Sequence, residues 1–193
     1  MGRRGLLIRL ILASQSPRRS ELLRSAGLSF ETYAPDVNEE CDLPTADSVE
    51  QIALRKAESA FVSHPGCYIL AADTLVSVDE EKLGKPRDEA DAIRMLTALS
   101  GRTHQVYTGV AVINPGHQIF SARDCTDVTF DRMTEQEILS YVRTGEPMDK
   151  AGAYALQGRA GLWVTHLDGN PSSVIGLSLS LVHSLLIRAG YPL

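Results

Sequence analysis

The chain has 193 residues, 44% of them hydrophobic, which suits one domain over residues 1–193, or one domain with a small lobe, around a real core. Its net charge of −5 is wrong for a general DNA or RNA binder, which needs a spread basic face, so any anion site must be a local concentration of Arg and Lys. Cys41, Cys67 and Cys125 are odd in number, far apart and without a C-x-x-C pair, which points to a reducing, cytoplasmic setting with no disulfide framework or zinc cluster.

The opening MGRRGLLIRLILAS has the layout of a signal peptide, but Arg9 breaks its apolar run. The expectation is instead a buried first strand over 6–13. No apolar run is long enough to span a membrane, and Leu6 stands where myristoylation needs Ser or Thr. Ser16 can cap the next helix, with Pro17 in its first turn, and Gly27 closes it near Ala26. Residues 28–46 read as polar and irregular. A helix over 47–62 places Val49, Ile52, Ala53, Lys56, Ala57, Ala60 and Phe61 on one face, so a lysine stands in its apolar stripe. CYILAA at 67–72 reads as a short buried strand with Asp73 and Thr74 at its C-terminal end. LVSV, DEEK and LGKP then read as a hairpin and loop, and 88–99 as a helix. Two long strands, 103–113 and 119–130, flank the turn Asn114-Pro115-Gly116. Thr134 to Glu137 is a capping box for a helix to about Arg143. Residues 148–161 are rich in Gly and Ala and read as irregular. LWVTHL reads as a strand, DGNP as a turn, and a last helix carries Leu179, Val182, Leu186 and Ala189 on one face. Helices alternate with strands around antiparallel pairs, which is mixed α/β or α+β.

Five stretches carry candidate chemistry. In SQSPRR, a strand feeds a helix whose first N–H groups and dipole favour an anion; Ser14, Ser16, Arg18 and Arg19 add donors shaped for phosphate. The same residues also fit ordinary capping with arginines in solvent. Asp73, in AADT, stands where α/β proteins often keep a catalytic carboxylate able to hold magnesium or take a proton from water. Taken alone, an Asx turn or a cap ending the strand is the commoner reason for an Asp there. Lys85, between Gly84 and Pro86, is either aimed at a phosphate or simply exposed. Gln157, in DKAGAYALQG, offers an amide for the edge of a base, or a bond to nearby backbone. Glu39 and Glu40 are either a source of a second metal carboxylate or a solvated pair. Among the five histidines, which show no metal spacing, His104 in SGRTHQ stands out.

The ordered set LILASQSPRRSELL, Arg55-Lys56-Ala57, AADT, LGKP, MLTALSGRTHQVYTGVAV, EPMDKAGAYALQG and GNPSSVIGL resembles the Maf family of nucleoside triphosphate pyrophosphatases from about residue 8 to 188. The resemblance implies a fold like that of inosine triphosphate pyrophosphatases: a bent mixed sheet, flanking helices, a cleft between two lobes, and a homodimer. It implies hydrolysis between the α- and β-phosphates with a divalent metal, magnesium or manganese. It makes Asp73 the proton acceptor, Ser14, Arg19, Lys56 and Lys85 phosphate-side residues, and Glu39 the loop acid; the chemistry of a triphosphate site then puts the metal on Asp73 and Glu39. Arg18, Thr74 and Gln157 match the branch that acts on dTTP and UTP. The chain departs from the family wording at Ala155-Leu156, at Pro171-Ser172-Ser173 and at Ser178, positions that bear on base stacking rather than hydrolysis. The alternative is a nucleotide-binding regulator of septum formation without turnover.

Overall fold

The computed structural model describes residues 8–193. Six helices surround a seven-stranded mixed sheet of spatial order β2-β1-β3-β5-β6-β7, with β4 paired to β3. The strands are β1 (Leu10–Ala13), β2 (Glu31–Tyr33), β3 (Tyr68–Val78), β4 (Glu81–Leu83), β5 (Thr103–Ile113), β6 (Ile119–Phe130) and β7 (Val164–Asp168). The helices are α1 (Pro17–Ser25), α2 (Thr45–Ser63), α3 (Glu89–Leu99), α4 (Glu135–Val142), α5 (Pro171–Ile175) and α6 (Leu179–Arg188). The β1–β2 and β1–β3 pairs are parallel and the others antiparallel.

Strand parity sorts the core into layers. Leu10, Leu12, Leu70, Ala72, Val110 and Val112 point to one face and pack under α6 with Val182, Leu185 and Leu186. Ile11, Ala13, Ile69, Ala71, Ala111 and Ile113 point to the other and pack under Ala53, Ala57 and Ala60 of α2. Farther along the sheet, Val76, Val78, Val106, Val128 and Phe130 form a second core with α3, α4, Tyr141 and Trp163. The space between these cores is the cleft.

Several expectations change. Residues 6 and 7 of the expected first strand, and the basic start of the signal-like segment, lie outside the described residues; the strand itself begins at Leu10. The segment 28–46 contains β2, three residues recruited by the free edge of β1. Asp73 and Thr74 do not end a strand. They stand in the middle of β3, because pairing with β5 runs unbroken from Ile69↔Ile113 to Ser77↔Gln105 and overrides the poor strand propensity of Asp. Ser16 occupies the N-cap of α1 but its hydroxyl makes no cap bond; its N–H donates instead to Ser14 Oγ at 3.1 Å. Segment 148–161 holds short 3₁₀ turns on both sides of an irregular stretch over 154–158, and the DGNP turn leads into α5, which Asn170 caps.

Two features of β3 create the cleft. On one edge it pairs with β1 over Tyr68–Leu70 and with β4 over Val76–Val78. Among the described residues, 71–75 have no strand partner on that edge, so the sheet opens where β1 ends. Opposite Asp73 stands Gly109, whose missing side chain lets α2 lie directly on the sheet: a Cβ there would meet the Val49 carbonyl oxygen at 2.4 Å. Backbone cannot yield as a side-chain tip can. Gly109→Ala is expected to cost about 1–3 kcal/mol through overpacking, read by urea unfolding. A stability equal to wild type would show that α2 is not seated by this glycine.

Candidate active site

Parity also aims the site residues. Asp73 shares the α2 face with Ile69 and Ala71, and Thr74 the opposite face. Lys56 lies on the buried stripe of α2, so its ammonium meets Asp73 Oδ1 at 2.7 Å, both side chains being about nine-tenths buried. The same ammonium meets Glu39 Oε1 at 2.7 Å, on the half-exposed loop between β2 and α2. One cation thus joins two carboxylates at the opening of the sheet. Burial raises the Asp73 carboxyl above the usual aspartate range, against the pull of Lys56 and Arg19. Burial also pushes Glu39 upward, but the Lys56 hydrogen bond and the charges of Lys56, Lys85 and Arg19 outweigh it and hold Glu39 low.

The β1–α1 connection supplies the next wall. Ser14 is buried, and its Oγ accepts from Ser16 N and from an Arg19 terminal nitrogen at 3.2 Å. Arg19 Nε donates to the Gly176 carbonyl at 2.7 Å, which fixes the guanidinium. Burial lowers the Arg19 pKa, and the nearby Asp73 and Glu39 charges counter it. No acidic residue occupies the first turn of α1, so the positive end of its dipole is uncompensated, and Ser16, Pro17, Arg18 and Arg19 line the cleft. On the opposite face Thr74 Oγ1 lies 2.9 Å from Thr108 Oγ1, which in turn donates to the Ser173 carbonyl at 3.0 Å.

The cleft has a volume of about 650 Å³, and Ser14, Arg18, Arg19, Glu39, Lys56, Asp73, Thr74, Lys85 and Gln157 all line it. All nine expected site residues therefore meet in one place. Glu40 does not line the cleft; its carbonyl accepts from Arg55, which also holds the Asn38 carbonyl. Arg18 reaches across the cleft to Asp149 at 3.3 Å. The sequence reading missed Tyr154, Leu156 and Ile175, which give the far end its apolar lining. Tyr154 is buried with its ring against His104 and Phe130, and nothing local in the sequence marks it as bordering a cleft. At the Pro171-Ser172-Ser173 departure, α5 turns both serines into its own packing. Ser172 Oγ donates to Asn170 at 2.7 Å, and Ser173, fully buried, donates to Asp124 at 2.6 Å.

A model of the Maf-like protein family matches residues 9–189. The chain belongs to the Maf family. Among its relatives, the dTTP/UTP pyrophosphatase of Symbiobacterium thermophilum is 49% identical over 187 residues, covering 95% of each chain. The dTTP/UTP pyrophosphatase of Myxococcus xanthus is 46% identical over 186 residues, covering 95% of this chain and 94% of that one. Among solved structures, the Ham1 protein of Staphylococcus aureus aligns with a TM-score of 0.48 and 15% identity, over 63% of this chain and 71% of that one.

His104 is not in the cleft. It is fully buried on β5 behind Tyr154, with Nε2 2.9 Å from the Tyr154 hydroxyl and Nδ1 without a partner. Burial lowers its pKa to about 4, against a weak opposing pull from Asp127. Unfolding restores a value near 6.5, so between these limits the unfolded chain binds more protons and stability rises with pH. The contribution is complete above about pH 6.5 and is lost as pH falls toward 4, by up to about 3 kcal/mol. Urea unfolding of wild type and His104→Gln across this range is expected to show a flatter profile for the variant; identical profiles would refute it.

The Lys56 pair gives a second test. Lys56→Met leaves the buried Asp73 carboxylate facing apolar surroundings and is expected to cost about 3–5 kcal/mol. Adding Asp73→Asn is expected to return much of that loss. Additive losses in the double-mutant cycle would count against direct coupling.

Proposed function

We propose that the protein hydrolyses dTTP and UTP between the α- and β-phosphates, releasing the monophosphate and pyrophosphate in a house-cleaning role. The observation that carries this reading is local. In a chain of net charge −5, Arg19, Lys56, Lys85 and the α1 N-terminus converge on one cleft beside a buried carboxylate. A nucleoside triphosphate brings about four negative charges, which such a cleft accommodates and an acidic surface elsewhere repels. The names of the relatives agree with it.

The donor set suits a divalent ion that arrives with substrate. Among the described residues no group of three or more His, Cys, Asp or Glu side chains gathers to hold a metal. Asp73 and Glu39 each meet Lys56 through one oxygen, which leaves each carboxylate a second oxygen that could turn to an ion. Magnesium, and by the same oxygen preference manganese, is commonly held by one or two carboxylates plus phosphate oxygens. When bound, the ion would polarise the α-phosphate and neutralise charge on the leaving pyrophosphate.

Each residue then has a task. Arg19, already braced by Gly176 and Ser14, presents its guanidinium to phosphate oxygens without further ordering. Lys85, on the loop that Gly152 N ties to the Gly84 carbonyl at 3.0 Å, adds a point charge. Lys56 engages Asp73 Oδ1 and leaves the carboxylate a second oxygen for the attacking water; the raised pKa of Asp73 makes it a stronger base than an exposed aspartate. Arg18, Thr74 and Gln157, which also line the cleft, select the nucleotide in this reading. We read residues 1–193 as one catalytic domain, acting as a cytoplasmic homodimer. Its three cysteines are free, and no helix among the described residues is long and apolar enough to cross a membrane.

Pyrophosphate release from dTTP, UTP, CTP and 7-methyl-GTP, with magnesium or manganese, tests the assignment. Turnover is expected with dTTP and UTP foremost, and Asp73→Asn is expected to lower kcat by about 10²–10⁴ while the protein stays folded. Nucleotide binding without pyrophosphate release would favour the regulatory alternative instead. Near-normal kcat in Asp73→Asn would remove Asp73 from the mechanism.

A further inference from the structure

One carboxylate acts on the cleft from behind. Glu146 opens the 3₁₀ turn Glu146–Asp149, half-buried under the Gly-rich segment. Its Oε1 accepts from the Tyr141 hydroxyl at 2.7 Å and from Arg159 N at 3.1 Å, and Oε2 from Arg159 N at 3.3 Å. The Tyr141 oxygen, fully buried on α4, accepts from Ala155 N at 3.3 Å. The backbone N–H groups at both ends of Ala155-Leu156-Gln157-Gly158-Arg159 therefore finish on one carboxylate–phenol pair. Gly158 N closes the turn on the Ala155 carbonyl at 3.0 Å.

The carboxylate lies directly against the turn backbone. A Cβ on Gly158 would stand 2.0 Å from Glu146 Oε1. Burial, then the Glu146 carboxylate, raise the Tyr141 hydroxyl pKa, so it remains a donor. The same residue reaches the other side of the cleft. The Glu146 carbonyl accepts from Lys150 Nζ at 2.6 Å, and that ammonium meets Asp149 Oδ1 at 2.5 Å while Asp149 Oδ2 holds Arg18.

We propose that Glu146, acting with Tyr141, is a positioning residue for nucleotide selection: it fixes the Ala155–Arg159 turn so that the Gln157 amide meets the base in one pose. This rests on the reading of Gln157 as the group that meets the base. Thymine and uracil present a donor N–H between two carbonyl acceptors, which a side-chain amide matches with one donor and one acceptor. Cytosine presents a different order of donors and acceptors. A turn without regular secondary structure keeps an amide in register only if its own backbone is held, and charge-assisted bonds hold most strongly.

The test is steady-state kinetics with UTP, dTTP and CTP on Glu146→Gln, Tyr141→Phe and Gln157→Ala. Glu146→Gln is expected to raise KM for UTP and dTTP about tenfold with kcat within about twofold, and to narrow their lead over CTP. Tyr141→Phe keeps the packed ring and is expected to do the same more weakly, which covers the case of a poorly folding Glu146→Gln. Neither effect is expected to add fully to that of Gln157→Ala. A lowered melting temperature with KM and nucleotide ranking unchanged would reduce Glu146 to a structural brace. If Gln157→Ala shifts the ranking while Glu146→Gln and Tyr141→Phe do not, the positioning role fails alone. If Gln157→Ala leaves the ranking unchanged, the base-reading role of Gln157 and the positioning proposal fall together.

Discussion

A single buried ammonium organises the cleft. Lys56 lies on the apolar stripe of α2, where a lysine normally snorkels outward, and instead ends between Asp73 and Glu39 at 2.7 Å from each. Removing a lysine and an aspartate from water is costly unless each charge meets the other with good geometry. The pairing therefore constrains everything around it. Helix α2 must lie close to the sheet, which Gly109 permits, and Asp73 must point toward α2, which the parity of β3 sets. Glu39 has no strand or helix of its own, and reaches the ammonium from a loop that Arg55 holds by the carbonyls on either side of it.

The rest of the cleft is built as a division of labour between elements. The β1–α1 turn brings donors: hydroxyl, guanidinium and free N–H groups, with Arg19 braced by Gly176 before any ligand arrives. The Gly-rich segment brings shape, since the stretch between its 3₁₀ turns carries Tyr154, Leu156 and Gln157 to the cleft wall. Cations and an anion-seeking helix end thus face an apolar and amide-bearing wall. That asymmetry fits a ligand charged at one end and planar at the other. The overall negative charge leaves the cleft as the place where such a ligand is held.

Much of the fold is legible in the sequence because local signals and tertiary packing agree. The capping box at Thr134–Glu137 forms with both of its bonds, and the β5–β6 hairpin pairs from Thr103↔Thr129 to Ile113↔Ile119 around Asn114-Pro115-Gly116. The failures share one cause. β2 is too short to announce itself without the ladder that β1 offers, and β3 runs unbroken through Asp73, a poor strand former, because its pairing with β5 continues past it. Asp73 looked like a strand terminus for that reason. Tyr154 and Glu146 carried no local mark of their roles, since each depends on what stands behind or across from it.

The sequence by itself determined the residue types, their order and the faces they share: a lysine within an apolar helical stripe, paired arginines after a strand, an acid inside a hydrophobic run, an amide among glycines. Those follow from periodicity and side-chain chemistry, which are properties of neighbours along the chain. Only the tertiary structure decided that these pieces converge, that Lys56 bonds both Asp73 and Glu39, and that one carboxylate braces the turn bearing Gln157. Convergence depends on strand order and on the break in pairing along one edge of β3, and these are settled by contacts between residues distant in sequence.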